Sequence, residues 1–238
     1  MSMVALERDG QVARITLHRA AARNAVIIAG WSELAERIRD AAAAHVIILS
    51  GEAGHFSAGA DLVELAGLAE DVDARGAFRR AMDEGIAAVA ASPVPVIASV
   101  RGGCFGAAVA LALACDIRVA TPDARFGIPP ARFGIAYPQG DVDRLVATVG
   151  RGAASRLLLG AETIDASEAA RIGLVDLVAE DAGEGLACAI AGNVHGSVAL
   201  LRRQIDGLER GEGDRAFEDR FGSPEFAAVA TGIRARRA

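Results

Sequence analysis

Two stretches of this chain could do chemistry with their backbone. Arg101–Asp116 reads RGGCFGAAVALALACD, and His55–Leu62 reads HFSAGADL. Each is a turn rich in glycine and alanine that runs straight into an apolar, helix-forming segment. The first N–H groups of such a helix have no intrahelical acceptor, and the aligned peptide dipoles favour negative charge in front of them. Two turns of this kind brought together would offer a pair of donors to a carbonyl oxygen that becomes an oxyanion. The same small residues could instead serve only close helix–strand packing, and the residues alone leave both readings open.

Side chains of known reactivity are sparse. Gly134–Arg144 (GIAYPQGDVDR) holds Tyr137, Asp141 and Asp143. Asp141 precedes a helical run expected from Val142, the place where aspartate caps a helix. Asp143 is expected to face solvent in that helix's first turn, and Tyr137, the chain's only tyrosine, is either a buried donor or packing. Asp61 is read as the cap of a helix opening at Leu62. Glu64, Asp83 and Glu84 are read as solvated helix surface. His18, His45, His55 and His195 show neither metal-ligand spacing nor a cysteine partner, so no metal site is expected. No Ser/His/Asp arrangement is legible, and neither a P-loop nor a G-x-G-x-x-G fingerprint is present.

Bulk composition narrows the class. The chain has 238 residues, 52% hydrophobic and only 4% aromatic, so its core is built from Ala, Val, Leu and Ile. All 25 basic residues are arginine. A formal net charge of −6 argues against a global nucleic-acid or membrane-surface role, and an anionic ligand would need a local arginine cluster. The three cysteines, Cys104, Cys115 and Cys188, suit reduced thiols of a cytoplasmic protein. No apolar run approaches membrane-spanning length and no signal-peptide pattern opens the chain, so a soluble, cytoplasmic protein is expected.

The elements that must position these residues read as α/β. Met3–Arg8 and Gln11–His18 alternate about Asp9-Gly10, a hairpin signal. Helices are expected over Trp31–Ala44, Ala74–Ala91 and Gly106–Cys115, and buried strands over Val46–Ser50, Val94–Val100 and Ile117–Ala120. After Gly150 the pattern is helical: Ala153–Leu159, Ala166–Arg171, Asp181–Ala191 and Val198–Glu209, with one strand at Leu174–Val178. A single domain over residues 1–238 is expected, with a core to 195 and a helical oligomerisation or lid region from 196.

In order and spacing, several motifs resemble the crotonase (enoyl-CoA hydratase/isomerase) superfamily. RAAARNA at Arg19–Ala25 is similar to an R-P-x-x-R-N-A turn, with Ala20 for proline. HFSAGADL resembles F-x-A-G-A-D-L, and PVPVIASVRG at Pro93–Gly102 resembles P-K-P-V-I-A-A-V-N-G. ACDIRVATPDARFG at Ala114–Gly127 and the Gly150–Val175 segment match as well. The resemblance implies a crotonase-like spiral of ββα units with a helical C-terminal region, assembled as a trimer or dimer of trimers. It implies an acyl-coenzyme A thioester as partner, with no separate cofactor because coenzyme A is part of the substrate.

Carried over residue by residue, the resemblance assigns the oxyanion N–H groups to Ala60 and Ala107. It assigns ligand contacts to Arg23, Ala25, Ala58, Gly59, Asp61, Leu62, Phe105, Gly106, Ala110 and Pro130. Arg23 is placed at the phosphate-bearing end, where a bidentate guanidinium suits the anion. The basic end at Ile233–Ala238 could assist from a neighbouring subunit or be a solvated tail. Alanine in place of glycine at Ala107 keeps the amide.

The chain departs from the hydratase pattern at both acid/base positions. Where that pattern has two glutamates, this sequence has Ala110 and Pro130. A positioned acid or base contributes about 10²–10⁴ in rate, so ordinary hydration is disfavoured. Some superfamily members place a working acid in the loop that here holds Tyr137 and Asp141, which makes these the replacement candidates. Enolate formation on an acyl-CoA, as in hydration or isomerisation, is the expected chemistry. A non-catalytic acyl-CoA carrier or regulator is the alternative, and a hydrolase or decarboxylase acting on a β-dicarbonyl thioester is a third.

Overall fold

The computed structural model describes residues 2–235. The expected hairpin forms as β1 (Val4–Asp9) and β2 (Val12–Leu17), paired antiparallel. From β2 the sheet continues in parallel through β3 (Val46–Gly51), β4 (Val96–Val100), β6 (Ile117–Ala120) and β9 (Leu177–Val178). Parallel neighbours require crossovers. Helices α1 (Ile28–Asp40), α2 (Leu62–Gly67) and α3 (Val72–Ala90) and α4 (Ala107–Leu113) lie in these connections.

Strand alternation divides the core in two. Ala13, Ile15, Leu17, Ile47, Leu49, Val96, Ala98 and Val100 face one side, where Trp31, Leu34 and Ile38 of α1 and Met82, Ile86 and Val89 of α3 cover them. Val12, Val46, Ile48, Ile97 and Val119, the intervening positions, face the other and meet Ala187 and Ala191 of α7 (Glu184–Ala191). Central strands covered on both faces read as continuous apolar runs, which is why β3 and β4 were legible as VIIL and VIASV.

A second, three-stranded sheet had no periodic signal. It joins β5 (Gly103–Phe105), β7 (Arg125–Gly127) and β8 (Thr163–Asp165). Three-residue strands are too short to show a period of two, and β5 lies inside the glycine-rich turn itself.

Helix α5 (Gln139–Leu159) corrects two expectations. It begins three residues before Val142 and runs on to Leu159, interrupted only at Gly150, whose φ of 76° and ψ of 160° are non-helical. Asp141 is therefore inside the first turn and caps nothing. Further along, α6 (Ala166–Arg171) is as expected, whereas α7 starts after Asp181 and the strand read at Leu174–Val178 shortens to its last two residues.

The C-terminal helices are α8 (His195–Ile205), α9 (Arg210–Arg220) and α10 (Pro224–Ala235). Arg202 fastens α8 to the core. Its guanidinium reaches Asp116 at 2.9 Å, Asp206 at 3.0 Å and the Ala90 carbonyl at 2.8 Å. Beyond it Phe217, Phe221 and Phe226 stack edge to face at 5.1 and 5.3 Å yet stay exposed. Among the described residues no single helix is long and apolar enough to cross a membrane. Of the basic end, Arg236–Ala238 and the Arg234 side chain lie outside the described residues.

Candidate active site

The two donor turns meet. Ser57 pairs with Cys104 as a parallel bridge, with Ser57 N–H donating to the Gly103 carbonyl at 3.1 Å and Phe105 N–H to the Ser57 carbonyl at 3.0 Å. Beyond the bridge the backbones stay close. A Cβ on Gly59 would lie 2.5 Å from the Phe105 carbonyl oxygen and 3.0 Å from the Ala107 nitrogen. Only glycine fits there, and its φ of +93° also requires glycine.

This approach directs two N–H groups. The Gly59 carbonyl accepts from Val26 at 2.7 Å, and Asp61 N–H donates to the Val26 carbonyl at 3.0 Å. Successive peptide groups of an extended segment point opposite ways, so the Ala60 N–H faces away from Val26. Ala107 is the first residue of α4, entered through Gly106 at φ 54° and ψ −126°. Among the described residues neither the Ala60 nor the Ala107 N–H has an acceptor. All seven residues of α4 are buried, so its dipole is poorly screened and its N-terminus favours an anion.

Both alanines line a cavity of about 530 Å³. Its walls include Ala58, Leu62, Leu65, Phe78, Met82, Phe105, Gly106, Pro130, Phe133, Ile135 and Tyr137, an apolar set. Among the described residues no carboxylate lines it, and Arg79 and Tyr137 are its only ionisable walls. Arg79 is paired with Asp83 at 2.6 Å. A neighbouring cavity of about 350 Å³ holds Arg23, His55, Asp123 and Arg125, and it shares Ala58 and Phe105 with the first.

The residues named from sequence thus separate. Ala58, Ala60, Leu62, Phe105, Gly106, Ala107, Pro130 and Tyr137 come together around one cavity, and Arg23 stands in the next. Ala25, Gly59, Asp61 and Ala110 are buried and outside both walls. Ala110 lies in the buried body of α4. Asp61 caps α2 as expected, accepting from Val63 N–H at 2.8 Å and Glu64 N–H at 3.1 Å. The Arg19 guanidinium also binds it, and these bonds hold its carboxyl below the usual carboxylate range.

Asp141 is neither a cap nor a wall of the cavity. Its Oδ1 accepts from Arg144 at 3.1 Å, and its Oδ2 is buried with no partner among the described residues. Burial pushes its pKa up against the opposing pull of Arg144, and the Asp83 charge adds to the rise. Tyr137 donates its hydroxyl to the Gly106 carbonyl at 2.9 Å. Desolvation of that hydroxyl, with the Asp141 charge adding to it, pushes the phenol well above its usual pKa. Asp143 is exposed and accepts from Gln139 at 2.7 Å, as expected.

Some residues that shape the site were missed. Buried Asn24 sits at φ 57° and donates to the Glu52 and His55 carbonyls at 3.0 and 2.8 Å, which ties the Arg19–Ala25 turn to the first donor turn. Ser57 Oγ donates to the Asn24 carbonyl at 2.7 Å and accepts from Gly59 N–H at 3.0 Å. An asparagine in a tight turn, where the left-handed region is tolerated, was the only signal. Glu64 is a correction. It is half-buried and accepts the Ile28 N–H at 2.6 Å at the start of α1, a partner 36 residues away that no local pattern announces.

Known proteins share this architecture. The sequence model of a family described as enoyl-CoA hydratase/isomerase matches residues 7–190. Over 178 residues the chain is 35% identical to the 2,3-dehydroadipyl-CoA hydratase of Escherichia coli, covering 74% of this chain and 68% of that protein. Over 221 residues it is 33% identical to the short-chain-enoyl-CoA hydratase of Clostridium acetobutylicum, covering 87% and 82%. The solved structure of an enoyl-CoA hydratase from Thermoplasma volcanium superposes with a TM-score of 0.88 at 30% identity, covering 98% of this chain and 97% of that one.

Proposed function

The chain belongs to the enoyl-CoA hydratase/isomerase family and has the crotonase fold, and from that premise we propose that it holds an acyl-coenzyme A thioester carbonyl between the Ala60 and Ala107 N–H groups. One observation supports this reading: Ala60 and Ala107, from turns in backbone contact and with N–H groups that have no acceptor among the described residues, line one apolar cavity. The acyl chain would occupy that cavity, and coenzyme A would leave through the junction at Ala58 and Phe105 towards Arg23 and Arg125. No cofactor beyond the coenzyme A of the substrate is called for.

The chemistry that suits two such donors is loss of an α-proton to give an enolate whose oxygen accepts both N–H groups. Donors placed for a developing charge stabilise it more than the ground-state carbonyl, and a dry site strengthens the effect. Ala110 and Pro130 supply no acid or base. Asp141 is the carboxylate we assign to proton transfer, because burial raises its pKa towards working pH. It lies outside the cavity wall, paired with Arg144, and must move to reach a bound substrate.

A second reading has a specific observation in its favour. The absence of a carboxylate from the described cavity wall fits a carrier or regulator that binds acyl-CoA without turning it over. We further propose that α8–α10 serve assembly into a trimer or a dimer of trimers, supported by the exposed Phe217, Phe221 and Phe226; light scattering checks the mass.

The deciding experiment incubates the protein with enoyl-CoAs of short, medium and long chain, following the conjugated thioester absorbance and product mass. Gain of one water identifies a hydratase, and α-deuterium exchange without hydration identifies enolate chemistry of another kind. Binding with neither identifies a carrier, and absence of binding overturns the proposal.

A further inference from the structure

Gly106 is the hinge of the second donor turn, and all its polar atoms are engaged. Its N–H donates to the Gly127 carbonyl at 2.9 Å, and its carbonyl accepts from Val109 N–H at 2.9 Å and from the Tyr137 hydroxyl at 2.9 Å. The carbonyl of Gly106 and the N–H of Ala107 belong to the same peptide group. A donor on the carbonyl oxygen draws density towards oxygen, raises the double-bond character of the C–N bond and leaves the N–H more positive. Hydrogen bonds linked through one amide in this way strengthen each other, most of all where water is excluded.

We propose that Tyr137 is a positioning residue that acts through the Gly106–Ala107 peptide, as the far end of a relay running from the phenol to the substrate carbonyl. The inference rests on the oxyanion reading of Ala107 above, and removes Tyr137 from the acid/base candidates. Its single proton is committed to the Gly106 carbonyl. Desolvation keeps the phenol protonated, so it remains a donor across the working pH range. The hydrogen bond also braces Gly106 at φ 54° and ψ −126°, the residue through which the chain enters α4 at Ala107, a wall of the cavity.

Polarisation of a bound carbonyl is measurable without turnover. Cinnamoyl-coenzyme A carries a conjugated thioester whose absorption moves to longer wavelength as its carbonyl is polarised. It would be titrated into the wild type, into Tyr137→Phe, and into protein made with 3-fluorotyrosine. The chain has one tyrosine, so the analogue enters at this position alone, and fluorine makes the phenol a stronger donor.

The expected result is a band shift that grows from phenylalanine to tyrosine to fluorotyrosine when each protein is saturated with the probe. Loss of the hydroxyl should remove a minor part of the shift, in line with the roughly 10–30% that a cooperative partner adds to a hydrogen bond. Equal shifts in the three bound proteins overturn the relay, including the case in which Tyr137→Phe only weakens affinity. Should that variant not fold, tyrosine against fluorotyrosine decides. A wild type that leaves the probe unbound or unshifted overturns the oxyanion reading itself, an outcome distinct from failure of the relay alone.

Discussion

Asp141 and Arg144 share one hydrogen bond of 3.1 Å, and the second oxygen of Asp141 is buried without a partner among the described residues. A half-satisfied carboxylate is costly to ionise, because burial removes water that one guanidinium bond does not replace. Such a group is a poor structural choice and a serviceable acid.

Asp141→Asn separates those roles. The folded pKa is raised, so between the unfolded and folded values the native state binds more protons than the unfolded one, and stability falls as pH rises. Below the ordinary carboxylate range both states are protonated and the penalty vanishes. The asparagine variant should therefore be more stable than the wild type at neutral pH, with the gain disappearing in acid, as read by denaturant unfolding across pH. If the wild type turns over an enoyl-CoA, the variant should lose about 10²-fold or more in kcat with KM little changed.

Gly59→Ala tests the contact between the donor turns. The added methyl meets the Phe105 carbonyl at 2.5 Å in a φ of +93°, so the turns must move apart. A loss of about 1–3 kcal/mol is expected, together with weakened acyl-CoA binding measured by calorimetry. Unchanged affinity would mean that the spacing of the two turns does not shape the site.

Ala107→Pro deletes one N–H at a place where proline is tolerated. Ala107 is the first helical residue, a position proline favours and where the helix itself uses no N–H. The fold should persist by circular dichroism. The red shift of bound cinnamoyl-coenzyme A should collapse, and any turnover should drop by about 10²–10³.

Asp61→Ala removes the cap of α2 and the partner of Arg19. A cost of about 2 kcal/mol is expected at neutral pH. The folded pKa of Asp61 is depressed, so the wild-type advantage is complete above the ordinary carboxylate pKa and is lost as pH falls through the lower folded value. Wild type and variant should converge in acid, and a gap that holds at low pH would remove the carboxylate charge as the cause.

Both donor turns and the Asp61 cap were legible in the sequence because they are local. A glycine–alanine turn before an apolar run, or an aspartate two and three residues ahead of free N–H groups, is complete within a few residues. The buried strands were legible for a related reason, since coverage on both faces writes itself as an unbroken apolar run. Asp141 looked like a cap by the same local logic, and only the register of α5, set from Pro138, made it an unsatisfied buried acid. Tertiary structure alone decided that Tyr137 reaches a carbonyl 31 residues away, that Glu64 closes α1 from a distance of 36, and that Asn24 and Ser57 lock one turn against another. Such bonds join segments whose meeting depends on how the whole sheet and its crossovers pack, and no spacing along the chain records it.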